Sequence, residues 1–210
     1  MVISLLLLCF DVETLYSRMN QKDASSKIEI AANLLKELQH PVNKGYVLAD
    51  SWYSCAALFN AATQIGFNYL GALKSNRKIF PRGHRKDGIK INDFIKTLKQ
   101  HELDLVTFKG KTYYTYTYLG RINGFKKIKI IMSWLENALW NKHALKCFIR
   151  LDTELSTKQI LNHYLKRWPI ETFFRETKRR LSFDKYQIHT IRGIKRYMCL
   201  LILCSIYTVN

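Results

Sequence analysis

Two stretches of this sequence carry residue types whose spacing could do chemistry. Asp50 follows the apolar run Tyr46 to Ala49 and precedes Ser51, Trp52 and Tyr53. A carboxylate at the C-terminal end of a sheet strand stands where α/β folds place ligands and metals. The plainer role is a helix N-cap, which Asp favours and which Ser54 could also fill. The second stretch is YLKRWPIETFFRETKRR, with Tyr164, Arg167, Glu171 and Lys178 at relative positions 0, 3, 7 and 14. At about 100° per residue these four fall within about 60° of one another, on one face of an uninterrupted helix. Glu171 then has cations one turn before it and two turns after it. Such a face can offer a metal-binding carboxylate beside groups that hold phosphates. The plainer role is a solvated charged face with i,i+4 pairing, such as Arg167 with Glu171. Pro169 lies inside the segment, removes an amide donor and makes the angles approximate.

The elements that must position these residues are legible in the pattern. Residues 2–10 read as a buried strand. Ser25 to Leu38 has helical spacing, with Ser25 or Ser26 as N-cap. Tyr46–Ala49 reads as a strand, Ser54–Ile65 as a helix and Phe67–Leu73 as a strand. Residues 1–73 are therefore expected to form β-α-β-α-β, the first part of a layered α/β core. Residues 74–151 differ. A basic loop over 74–90 holds seven Lys or Arg against one Asp. Runs rich in Thr, Tyr, Val and Ile follow, and Asn123-Gly124 between two of them is a hairpin signal. The expectation is an antiparallel β-rich insertion, closed by a strand over 145–151. Residues 152–210 read as helical, broken by Pro169 and by a loop around Asp184.

Composition sets the partner class. The 210 residues contain 34 Lys plus Arg and 16 Asp plus Glu, a formal net charge of +18. With 48% hydrophobic and 13% aromatic residues, the chain can build a core and is not of the disordered class. The charge points to a polyanion, nucleic acid first. Five cysteines, an odd number without a CxxC pair, argue against a disulfide framework or zinc ribbon and for reduced, mostly buried thiols in the cytoplasm. The apolar run Met198–Val209 is shorter than the roughly 20 residues that span a bilayer. A buried C-terminal helix is expected there, and no membrane partner.

The spacing Tyr-x2-Arg-x3-Glu-x6-Lys, matched by Tyr164, Arg167, Glu171 and Lys178, resembles the signature around the catalytic glutamate of IS4-family DNA transposases. The surrounding RWPIETFFRETKRRLSFDKYQIHT and the earlier VLADSWYS, with Asp50 and Glu171 separated by 121 residues, are similar to the IS701-type members. The resemblance covers nearly the whole chain. It implies a ribonuclease-H-like mixed sheet with flanking helices and a β-rich insertion. It also implies a DDE triad that holds two Mg²⁺ or Mn²⁺ ions, with Asp50 as the second Asp and Glu171 as the Glu. Tyr164, Arg167 and Lys178 would contact phosphates of double-stranded DNA near the transposon end, in a homodimer on paired ends, at the bacterial nucleoid. In some relatives a Trp of the insertion stacks on a flipped base; Trp134 and Trp140 fall in that segment, although core packing is the plainer role for both.

The family's first Asp is not evident. The carboxylates before Asp50 are Asp11, Glu13, Asp23, Glu29 and Glu37. Asp11 follows an apolar strand, but residues 3–38 resemble the family's third strand and the helix after it. The resemblance therefore implies an N-terminally truncated chain, the C-terminal part of a transposase catalytic domain, with weakened metal binding. The alternative function is a non-catalytic DNA-binding remnant.

Overall fold

The strands that flank Asp50 are apolar at nearly every position, Asn68 being the exception, a pattern that calls for cover on both sides of the sheet. The computed structural model describes residues 2–4, 26–151, 154–182, 187–188 and 190–208. Asp11, Glu13, Asp23, Asp184 and residues 5–10 of the expected first strand lie outside them. Strand β1 (Val2–Ser4) runs parallel to β2 (Gly45–Ala49), and β2 runs parallel to β3 (Phe67–Leu73). Helices α1 (Lys27–Lys36) and α2 (Ala56–Gln64) supply the connections. Ser26 caps α1 through a reciprocal pair with Glu29. Alternation along β2 divides the core. Val47 and Ala49 pack with Ala31, Leu35, Leu58 and Phe59 of the two helices. Tyr46 and Leu48 face the other way, toward Leu70, Phe148, Ile160 and Leu161.

The insertion extends this sheet. Strand β4 (Lys78–Ile79) pairs with β5 (Ile89–Lys90), so part of the expected basic loop is a short hairpin. A short helix, α3 (Ile91–Phe94), leads toward β6 (Asp104–Phe108), β7 (Lys111–Ile122), β8 (Phe125–Leu135) and β9 (Lys146–Arg150). The sheet order is β1-β2-β3-β9-β8-β7-β4-β5, with β6 also on β7, and all pairs beyond β3 are antiparallel. The Asn123-Gly124 turn closes β7 on β8, with Ile122 opposite Phe125 and Gly124 at φ +88°. Trp134 is fully buried and its ring meets Trp140 edge-on at 5.6 Å, whereas Trp140 is partly exposed. Core packing is the role of Trp134.

The last third is helical: α4 (Thr157–Leu165), α5 (Trp168–Leu181) and α6 (Ile191–Thr208). Ile160 and Leu161 press α4 onto the face of the sheet opposite α1 and α2. Two expectations need correction. Tyr164 to Lys178 is not one helix. Pro169 has no amide hydrogen to continue the ladder, so α4 closes with tight bonds from Lys166 N to His163 O and from Arg167 N to Tyr164 O. Helix α5 then starts afresh with the proline in its first turn, where a missing donor costs nothing. Nor is α6 wholly buried: Ile194 and Leu201 pack inward, but Leu200 and Leu203 are more than half exposed. Among the four described cysteines only Cys147 is buried, while Cys199 and Cys204 lie on the exposed side of α6. Burial pushes the Cys147 thiol up to about 12. Among the described residues no helix is long and apolar enough to cross a membrane.

Candidate functional site

Asp50 ends β2 and folds the following loop onto itself. Its Oδ1 accepts the backbone N–H of Trp52 at 2.8 Å and of Tyr53 at 3.3 Å. This is an Asx turn rather than a helix cap. Helix α2 starts later, with Cys55 at its N-cap and no side-chain bond there. Ser54 is not the cap either, because its hydroxyl donates to Ala72 O on β3. Tyr69 donates to Tyr53 O at 2.9 Å, and Arg77 Nη2 to Ser54 O at 3.1 Å. Burial, with the nearby Asp50 charge adding to it, raises the Tyr69 phenol far above its ordinary range and keeps it a donor.

Gly71 makes this anchoring possible. A Cβ there would stand 2.4 Å from Ser54 Oγ and 2.7 Å from the Tyr69 ring. Gly71→Ala is therefore expected to push Ser54 off Ala72 at a cost of about 1–3 kcal/mol. Thermal unfolding checks this. A melting temperature equal to that of the wild type would show that the loop does not depend on the close approach.

Glu171 lies in the first turn of α5, where the helix N-terminus favours a negative charge. Its Oε1 is 2.6 Å from Arg167 Nη2. Arg167 is buried and its guanidinium lies 5.1 Å from the centroid of the Tyr164 ring. The pair is thus the i,i+4 partnership expected of a charged helix face, with the arginine buried and the carboxylate half-exposed. Burial, opposed by Arg167 and reinforced by Asp50 and Glu171, raises the Tyr164 phenol. Tyr164 is accordingly neutral at pH 7 and able to donate a hydrogen bond.

Asp50, Tyr164, Arg167 and Glu171 all line one cavity of about 940 Å³. The two carboxylates come from distant parts of the chain, one just after the C-terminal end of β2 and one in the first turn of α5. Lys178 does not line it; it is exposed two turns farther along α5. Other cations do: Lys74, Lys111 and Lys146. Four cationic side chains against two carboxylates give the cavity a net positive lining, which suits a polyanion. Lys74 begins the basic stretch noted in the sequence. Lys111 and Lys146 carried no local signal: they open β7 and β9, and the register of the sheet alone brings them to the cavity. Arg82, Arg85 and Lys86 lie exposed at the β4–β5 hairpin.

Among the described residues, no cluster of three or more His, Cys, Asp or Glu is arranged to hold a metal ion. The donor chemistry of the cavity nevertheless fits a hard divalent cation. The hydrogen bonds to Asp50 fall on Oδ1 and the ion pair of Glu171 on Oε1, which leaves Oδ2 and Oε2 as oxygen donors.

No curated protein matches the sequence. A family model described as the transposase DDE domain matches residues 13–207, a span that includes both carboxylates, the cationic cavity and every described strand of the sheet except β1. The fold is the mixed α/β sheet with flanking helices of a ribonuclease-H-like domain, and the chain belongs to the transposase DDE domain family, whose members act on DNA and generally use divalent metal ions.

Proposed function

We propose that the chain is a catalytic unit of an IS4-like, IS701-type DNA transposase, carrying out metal-dependent strand cleavage and strand transfer at insertion-sequence ends. The observation that carries this reading is the convergence of Asp50 and Glu171 on one cationic cavity. Asp50 and Glu171 hold Mg²⁺ or Mn²⁺ through oxygen. A divalent ion held there would supply the charge that activates an attacking hydroxyl and stabilises a leaving oxygen. Arg167 fixes the Glu171 carboxylate, so that its free oxygen needs no reorganisation when the ion binds. Tyr164 donates its hydroxyl, and Lys74, Lys111 and Lys146 their charge, to the phosphates that flank the cut strand. Lys178 contacts phosphate farther along the duplex, on the same helix. A homodimer on paired transposon ends, at the bacterial nucleoid, is the working assembly.

The test is nicking of a supercoiled plasmid carrying the insertion-sequence end. Nicked product is expected with Mg²⁺ or Mn²⁺ and none with chelator, while DNA binding survives the chelator. Binding should weaken steeply with salt, because each neutralised phosphate releases counterions. Binding without cleavage in either ion would establish the second reading, a DNA-binding remnant. That reading is favoured by one observation: among the described residues, the cavity contains two carboxylates, and Asp11 is outside them.

A further inference from the structure

Trp52 is large and apolar, yet 60% of it is exposed. Single exposed apolar residues are common on proteins, but this one is fixed in place and has a charged companion. Its backbone N–H is held by Asp50 Oδ1 at 2.8 Å. The loop that carries it is tied to β3 through Tyr53 and Ser54. The ammonium of Lys74 stands 5.3 Å from the centroid of the indole ring, and Lys74 itself lines the carboxylate cavity. An aromatic face and a cation are thus set side by side next to Asp50. These are the two groups that a single nucleotide calls for, a stacking surface for its base and a charge for its phosphate.

We infer that Trp52 and Lys74 form a nucleotide subsite at the rim of the cavity, where the indole stacks on an unpaired base of the DNA strand and Lys74 holds the adjoining phosphate. The subsite rests on the proposed DNA-cleaving function and deepens it. Lys74 covers one side of the ring, and the base takes exposed indole surface. A base on Trp52 sets the register of the strand, because Trp52 is two residues from Asp50 and moves with it. The subsite tolerates any base, since every base has a π-face.

The experiment compares two labelled single strands of equal length and charge, one of thymidylates and one of abasic deoxyribose phosphates. The wild type is expected to bind the thymidylate strand more tightly. Trp52→Ala should lower affinity for it by about 5- to 100-fold, the weight of one stacked base. Affinity for the abasic strand should stay within about twofold, because the phosphate contacts remain. Trp52→Phe should restore most of the loss. An unchanged preference for thymidylate in Trp52→Ala, an equal loss on both strands, or no preference in the wild type would each overturn the subsite and leave the DNA-cleaving reading standing. Failure of the wild type to bind either strand at low salt would overturn the subsite, and failure to bind the supercoiled plasmid as well would overturn both.

Discussion

Glu171→Gln is expected to abolish metal-dependent nicking, with a loss of about a thousandfold or more, while the protein unfolds at nearly the temperature of the wild type. The two halves of this result have separate causes. The amide keeps an oxygen at the position of Oε1, so Arg167 Nη2 retains an acceptor at the 2.6 Å contact. It lacks the negative charge that a divalent ion requires of its oxygen ligands. Nearly all the effect therefore falls on the chemistry. Glu171→Ala differs: it strands the guanidinium of Arg167, which is buried against Tyr164 and already has an Nε without a protein partner. That variant should lose stability as well as cleavage, since an unpaired buried charge is costly, though partial exposure of the site moderates the cost. Nicking assays and thermal unfolding on both variants separate the two effects. Cleavage by Glu171→Gln at the wild-type rate would remove Glu171 from the site.

The largest effect on stability is expected from Trp134→Ala. The indole is fully buried on β8, opposite Tyr114 on β7 and against the ring of Trp140. Truncation removes its burial and leaves a cavity, at a cost of about 3–5 kcal/mol. For a chain of this size that lowers the melting temperature by roughly 6–20 °C. Trp134→Phe should cost far less. It keeps an aromatic ring against Trp140 and deletes Nε1, a buried donor that has no protein partner. Urea unfolding of the two variants ranks them; an equal loss in both would mean that ring packing is not what Trp134 contributes.

The parts of the molecule that proved legible in the sequence are those governed by local rules. Asn123-Gly124 announced the β7–β8 hairpin because that turn needs a residue at positive φ, and Gly124 supplies it. The mainly apolar runs at 46–49 and 67–73 announced strands, and the sheet buries both. The shared face of Tyr164, Arg167 and Glu171 survived the break at Pro169 for a physical reason. Lys166 and Arg167 keep right-handed helical φ and ψ, so the angular sum is preserved although the hydrogen-bond ladder is not. What the sequence hid depends on pairing between distant segments. Two-residue strands such as Lys78–Ile79 show no period, and Lys111 and Lys146 meet the carboxylates only after β9 has joined β3. The exposure of Leu200 and Leu203 was equally hidden, because periodicity gives the face of a helix and not what covers it.

The assembly of the cavity from distant parts of the chain has a consequence for when the protein becomes competent. A ribosome making this chain releases Asp50 and its strand long before Glu171. The 121 residues from Ser51 through Glu171 take roughly 6–24 s to synthesise at about 5–20 residues per second. During that interval the sheet can form and the cationic surface can hold DNA, but no nascent chain carries both acids. On the proposed function, the order of the elements thus acts as a timer: an unfinished chain can grip DNA before it can cut it.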